Sequence, residues 1–261
     1  MRRTLIKPDL NTIPSVFHPL FHGAAVYDSS CSKTARVYFI DKDGGYYLKA
    51  SPKGSLGREA ELTRFFHSKK LAAEVLAYET LDEDWLLTTR VPGEDCTLKA
   101  YRAEPERLCD TIAEILSSLH SMDIAGCPVT DHTKHYLETA RKNYEANNYD
   151  INHFPDNWGF TTPKDAWKTV EECGHLLKTD TLLHGDYCLP NIMLDNWRFS
   201  GFIDLDHAGV GDRHVDLFWA AWSLNFNLKT NMYRDRLLDA YGRSRIDPDM
   251  FRVVAAVEVF G

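Results

Sequence analysis

Three polar residues between Leu183 and Gly211 have the types and spacing that phosphoryl transfer needs. Asp186 follows His184 and Gly185. Asn191 comes five residues later, and Asp204 ends the apolar run Gly201-Phe202-Ile203 thirteen residues after that. A triphosphate presents several negative charges, and moving its terminal group requires Mg²⁺ held by hard oxygen ligands. Asn191 and Asp204 offer such oxygens. The reaction also needs one carboxylate that stays clear of the metal to orient and deprotonate the attacking hydroxyl. Asp186 is the candidate. His-Gly-Asp alone has little specificity, so the inference rests on all three residues being in register.

The phosphates need a cation from the protein as well. Lys49 ends the apolar segment Tyr46-Tyr47-Leu48. A strand lysine paired to a helix glutamate is a known grip for the α- and β-phosphates. Leu56 to Lys70 has helical spacing, with Leu62, Phe65 and Phe66 apolar. Glu59 and Glu61 both lie in its early part, and either could be the partner. The loop at 28–34 has no glycine-rich phosphate cradle. Its small hydroxyl residues Ser29, Ser30 and Ser32 could bond phosphate oxygens instead.

The elements that must position these residues can be read along the chain. Residues 1–20 carry Pro8, Pro14 and Pro19, which argue against a long helix. Gly23–Asp28, Ala35–Ile40 and Tyr46–Ala50 read as three antiparallel strands, the last pair reversed at Asp43-Gly44-Gly45. Strands at Glu74–Thr80 and Trp85–Thr89 follow. Arg90-Val91-Pro92-Gly93 breaks the pattern and reads as a linker. Beyond it the periodicity is helical at Pro105–Met122, Thr133–Asn147 and Pro163–Leu177. The catalytic stretch reads as strand, loop and hairpin, and is followed by helices at Asp212–Leu224, Tyr233–Tyr241 and Asp247–Phe260. Asn148–Thr162 is a long polar, aromatic loop, a kind of segment that is often functional.

Bulk properties narrow the classes. The 261 residues are 44% hydrophobic, ample for a core. There is no apolar run of ~18 residues to span a membrane, and no apolar signal core follows Met1-Arg2-Arg3. The expectation is a cytoplasmic protein. Its six cysteines show no CxxC pair or zinc spacing and read as free thiols. A net charge of −8 disfavours nucleic acid and suits a cationic partner.

The H-G-D-x-x-x-x-N and G-F-I-D motifs resemble those of the aminoglycoside phosphotransferases, particularly the 3'-phosphotransferase branch. The likeness extends from Tyr47-Leu48-Lys49 to Glu258-Val259-Phe260. It implies an α+β, bilobal protein-kinase-like fold, with a small antiparallel sheet in a nucleotide-binding lobe (1–90) and a mainly helical catalytic and substrate lobe (91–261). It implies ATP, or alternatively GTP, as phosphoryl donor, with Mg²⁺ on Asn191 and Asp204. It selects Glu59 over Glu61 as the partner of Lys49. Adenine would bond the Thr89 carbonyl and the Val91 N–H at the hinge (89–93), stack on Tyr47 and be covered by Ile203. Ser32 lies in the loop over the phosphates. The cationic aminoglycoside would meet Asp156, Glu258 and Phe260. Asp216 would hold the catalytic loop's backbone, and His120 would be structural. Acidic residues common in the family near 226–227 are replaced here by Phe226 and Asn227. Two other functions fit the same motifs. One is a kinase of choline, homoserine, fructosamine or a macrolide; the other is an inactive nucleotide-binding module.

Overall fold

The computed structural model describes residues 3–32, 34–149, 151 and 157–261. The chain forms two compact units, 1–98 with 190–206, and 99–189 with 207–261.

The first unit begins with β1 (Thr4–Ile6), a short helix α1 (His18–Phe21), β2 (Ala25–Asp28), β3 (Arg36–Asp41) and β4 (Tyr46–Pro52). Helix α2 (Gly57–Ser68), β5 (Val75–Thr80), β6 (Glu83–Thr89) and β7 (Glu94–Asp95) follow. A six-stranded sheet runs in the order β1-β2-β3-β4-β6-β5, and every pairing in it is antiparallel. The strand period of two sorts its faces. Val26, Ile40, Leu48, Ala50, Trp85 and Leu87 pack with Ile13, Phe17 and Phe21 from the N-terminal segment. The opposite face carries Phe39, Tyr47 and Lys49, with Leu86 opposite Lys49 in the register. Leu86 also packs against Leu56 and Ala60, so α2 lies over that face.

The chain then enters the second unit through α3 (Lys99–Arg102), α4 (Pro105–Leu119), α5 (His132–Glu145), α6 (Pro163–Cys173) and β8 (Thr181–Leu183). It returns to the first unit as the hairpin β9 (Ile192–Asp195) and β10 (Arg198–Phe202), and goes back to the second as β11 (Gly209–Gly211) and helices α7 (His214–Leu228), α8 (Tyr233–Tyr241) and α9 (Pro248–Glu258). The ends of α6 and α9 follow local chemistry. Thr162 and Asp165 form a capping box at α6, and Asp247 caps α9; each helix has Pro in its first turn.

Two features depart from the sequence expectation. The N-terminal segment, read only as lacking a long helix, contributes edge strand β1, with Leu5 opposite Tyr27. The expected boundary at 90/91 does not divide the compact units. Strand β7 pairs with β9, and the Cys96 N–H donates to the Ile192 carbonyl (3.1 Å), so the first unit runs to Leu98 and takes in 190–206.

Candidate active site

Lys49 is where β4 and α2 meet chemically. Its Nζ donates to Glu59 Oε2 at 2.7 Å and to Asp204 Oδ1 at 3.0 Å. Burial alone would lower the lysine's pKa. The two carboxylates outweigh it and push the pKa up to about 12, so the ammonium stays charged. Glu59 is buried, and burial lifts its carboxyl above the usual range despite Lys49. Removing one partner of such a buried pair costs about 3–5 kcal/mol, because the other charge is left uncompensated. Glu61 is exposed on α2, so of the two candidates Glu59 holds the lysine.

The β9–β10 hairpin sets Asn191 beside Ile203 and Asp204. Its two-residue turn is Asn196-Trp197, both at positive φ, as tight hairpins require. Phe202 registers with Ile192, and the Ile203 N–H donates to the Asn191 carbonyl at 3.1 Å. The Phe202 N–H is fixed by the Leu71 carbonyl at 2.7 Å. Asp204 itself is left-handed (φ 60), a conformation that costs free energy and is often found at functional sites. Its carboxylate is exposed while accepting from Lys49. The backbone bond between Ile203 and Asn191 thus brings two residues with side-chain oxygens, Asn191 and Asp204, close together along the chain path. Among the described residues no group of three or more His, Cys, Asp or Glu could hold a metal. Mg²⁺ needs none, since it takes one or two protein oxygens and completes its shell with phosphate and water.

Asp186 lies in the second unit, on a loop held from beneath. The His184 and Gly185 N–H groups donate to Asp216 Oδ2 (2.8 Å) and Oδ1 (2.7 Å). His120 adds its Nε2 to Asp216 Oδ2 at 3.1 Å, and its Nδ1 meets the Tyr241 hydroxyl at 2.8 Å. Burial lowers the His120 pKa, outweighing the Asp216 hydrogen bond and charge that raise it; the neutral tautomer that fits both partners has Nε2–H donating to Asp216 and Nδ1 accepting from the Tyr241 hydroxyl. Burial would raise Asp216, but His120 and His184, the latter through its ring and its backbone N–H, hold it below the usual carboxylate range. Gly185 (φ +82) is required at its position, because a Cβ there would lie 1.9 Å from the His207 carbonyl oxygen. At the loop's far end the Leu189 N–H donates to Ser223 Oγ at 2.9 Å.

The other predicted residues fall as follows. Tyr47 shares a sheet face with Lys49, packs its ring on Phe39 (5.1 Å) and accepts from the Arg3 guanidinium at 2.8 Å. Thr89 is tied to Glu74 through its N–H and its hydroxyl, both at 3.0 Å. Val91 is buried, Ile203 half-buried. Ser32 is exposed, and its Oγ accepts from the Ala35 N–H at 3.0 Å within its own loop. Asp156 lies outside the described residues. Glu258, near the end of α9, accepts from the Tyr136 hydroxyl (2.7 Å) and Trp219 Nε1 (3.0 Å) on one carboxylate oxygen. Burial, joined by the negative charge of Asp186, pushes its pKa up to about 7.

Phe260 requires correction. The expectation gave its ring to a sugar, but it has no exposed surface and packs edge-on against Tyr144, Tyr149 and Trp167. A residue closing an aromatic core cannot present that ring to an acceptor. The sequence reading also missed Tyr136, Trp219 and Ser223. Each acts on a partner more than thirty residues away, which no local pattern signals.

The profile of the phosphotransferase enzyme family (APH) matches residues 32–254. A Lactococcus lactis protein described as a probable aminoglycoside 3'-phosphotransferase is 48% identical over 98% of this chain and 98% of its own. The aminoglycoside 3'-phosphotransferase of Niallia circulans is 29% identical over 86% of this chain and 87% of its own. The crystal structure of an aminoglycoside-3'-phosphotransferase of type VIII shares the fold, with a TM-score of 0.74 at 21% identity over 92% of this chain and 94% of that one. A Streptomyces rimosus aminoglycoside phosphotransferase, solved with ADP and streptomycin, superposes with a TM-score of 0.71 at 21% identity, over 86% and 90%. With a family profile spanning most of its length and a full-length relative at that identity, this chain belongs to the phosphotransferase enzyme family.

Proposed function

We propose that this enzyme transfers the γ-phosphoryl group of ATP to a hydroxyl of an aminoglycoside, the 3'-hydroxyl of kanamycin- and neomycin-type substrates, and so confers resistance to them. The observation that carries the reading is Lys49 held between Glu59 and Asp204 on a sheet face shared with Tyr47. That is a phosphate grip joined directly to a metal-ligand candidate. The 48% identity to the L. lactis protein supports the acceptor class.

In this reading Lys49 positions the α- and β-phosphates, and Asn191 and Asp204 hold Mg²⁺. When bound, Mg²⁺ neutralises charge on the phosphates. Asp186 accepts a hydrogen bond from the acceptor hydroxyl, aims its oxygen at the γ-phosphorus and takes its proton as the new P–O bond forms and the bond from the γ-phosphorus to the β–γ bridging oxygen breaks, with ADP as the leaving group. The transition state is loose, so alignment matters more than base strength. The Asp216 anchor fixes the loop that carries Asp186. Thr89 and Val91 offer backbone groups to adenine, with Tyr47 and Ile203 on its faces and Ser32 over the phosphates; GTP is the alternative donor. The first lobe binds the nucleotide and the second binds the acceptor. Glu258 pairs with an acceptor ammonium, and Asp156 is the second carboxylate proposed for the acceptor. A cytoplasmic location, where ATP and Mg²⁺ are at hand, goes with this chemistry.

The test is steady-state kinetics with ATP and Mg²⁺ over kanamycin, neomycin, choline, homoserine and a macrolide. Aminoglycosides should be preferred. Asp186→Ala should lower kcat by about 10²–10⁴ while retaining ATP binding, whereas Asp204→Ala should also lose Mg²⁺-dependent ATP binding. Preference for choline, homoserine or the macrolide would replace this reading with a kinase of that acceptor.

A further inference from the structure

The sheet face that carries Lys49 also carries a row of aromatic rings. Tyr27, Phe39 and Tyr47 are register partners across β2, β3 and β4. Their rings meet in turn, Tyr27 with Phe39 at 5.9 Å and Phe39 with Tyr47 at 5.1 Å. Strand β1 extends the row by setting Leu5 opposite Tyr27, while the next residue, Ile6, packs on the core of the other face. Alternation therefore puts Arg3, just before β1, on the same face as Leu5 and the rings.

Arg3 reaches along that row. Its Cζ lies 3.9 Å from the Phe39 ring centroid, and its Nη2 donates to the Tyr47 hydroxyl at 2.8 Å. Among the described residues no carboxylate pairs with it, and its buried Nε has no hydrogen-bond partner. An unmet buried donor is costly. An arginine that served only the strand edge would turn all its donors to water. This one gives up solvent for a ring face and a phenol oxygen, so what it holds is the reason for its placement. The ring beneath it is fixed. Phe39 is buried, Arg90 Cζ approaches it to 5.9 Å, and Gly45 lies so close that a Cβ there would stand 2.9 Å from the ring. Stacked on an immobile ring, Arg3 passes that rigidity to Tyr47 through the hydrogen bond.

We propose that Arg3 is a positioning residue for the nucleotide base. It holds the Tyr47 ring at one angle before the base arrives, so that stacking orders less on binding. The inference rests on the assignment of Tyr47 to the base in the proposed function. It brings the N-terminal segment into the nucleotide site, through a ring that stands three strands away from β1 in the sheet.

The test is isothermal titration of the full chain with MgADP, which needs no acceptor. Arg3→Ala and Tyr47→Phe should each raise the Kd about three- to tenfold. Both remove the same hydrogen bond, so Arg3→Ala in the Tyr47→Phe background should add less than about twofold. The control is Arg36→Ala. Arg36 lies over Trp85 on the opposite face of the sheet and pairs with Glu83, and its loss should leave the Kd unchanged. An unchanged Kd in Arg3→Ala or in Tyr47→Phe, with Tyr47→Ala weakened, would overturn the inference and leave the base on Tyr47. Fully additive effects would mean that Arg3 merely stabilises the sheet, which also overturns it. Tighter binding by Arg3→Ala would refute it as well, because the guanidinium would then stand in the way of the base. Tyr47→Ala without effect would remove both the inference and the assignment of Tyr47, and a wild-type chain that binds no MgADP would overturn the nucleotide reading itself.

Discussion

Glu258→Gln tests the acceptor site through pH. Burial raises the Glu258 carboxyl pKa to about 7, with Asp186 adding to the shift and the hydrogen bonds from Tyr136 and Trp219 opposing it. With that midpoint, about one-tenth of the enzyme carries the carboxylate at pH 6 and about nine-tenths at pH 8. Only the carboxylate pairs with an ammonium, so the kanamycin KM of the wild type should fall about ninefold across that interval, as the competent fraction rises. Gln keeps the acceptor oxygen for Tyr136 and Trp219 but does not titrate. Losing one charge-assisted contact costs about 1.5–3 kcal/mol, so at pH 8 the variant's KM should be roughly ten- to a hundredfold higher. The ratio of variant to wild type at each pH cancels the acceptor's own titration and should grow from pH 6 to pH 8. Stability should move the other way. A carboxyl raised from 4.5 to about 7 contributes stability that is present below about pH 4.5 and lost as pH rises through about 7. Gln lacks that loss, so its Tm should gain on wild type above pH 7. The assay is initial-rate kinetics at saturating MgATP with thermal melts in the same buffers. A KM ratio that does not vary with pH would refute the assignment of Glu258 to the acceptor.

Two more predictions follow from backbone geometry. Val91→Pro should raise the KM for ATP at least about tenfold by deleting the hinge N–H, while Thr89→Ala changes it by less than about threefold; equal, small effects would move adenine elsewhere. Gly185→Ala forces a Cβ to 1.9 Å from a backbone carbonyl at φ +82, and should cost about 3 kcal/mol or more, read as a Tm drop of about 6–12 °C. A wild-type Tm for that variant would contradict the loop geometry.

The legible part of this protein was its chemistry in short range. Lys49 and two early glutamates of α2 lie on adjacent elements, so residue type and spacing put forward the ion pair that the structure forms with Glu59, and Asp186, Asn191 and Asp204 stand close enough in sequence to be proposed together. Helix spans were also readable, because periodicity is local; α8 runs over Tyr233–Tyr241 as expected. What sequence could not carry was long-range pairing. The pairing of β9 with β7 depends on which edge is open after folding, and Glu94 meets Leu194 from a hundred positions away. Phe260 shows the same limit from another side. A C-terminal phenylalanine reads alike whether it faces solvent or, as here, sits among Tyr144, Tyr149 and Trp167.

The division of the chain into two units has a consequence for proteolysis. The polypeptide passes from one unit to the other three times, after Leu98, after Leu189 and after Asp206. A single nick at any one passage leaves two covalent tethers between the units, so limited digestion there should yield a complex that separates only under denaturing conditions. The nicked protein should retain Lys49, Glu59, Asn191 and Asp204 in one unit and Asp186 with Glu258 in the other. Each unit draws on more than one stretch of sequence, so neither can be obtained by truncating the chain at one point. A gene fragment ending near Leu98 would encode a sheet without its hairpin, with β7 left unpaired and Lys49 without Asp204.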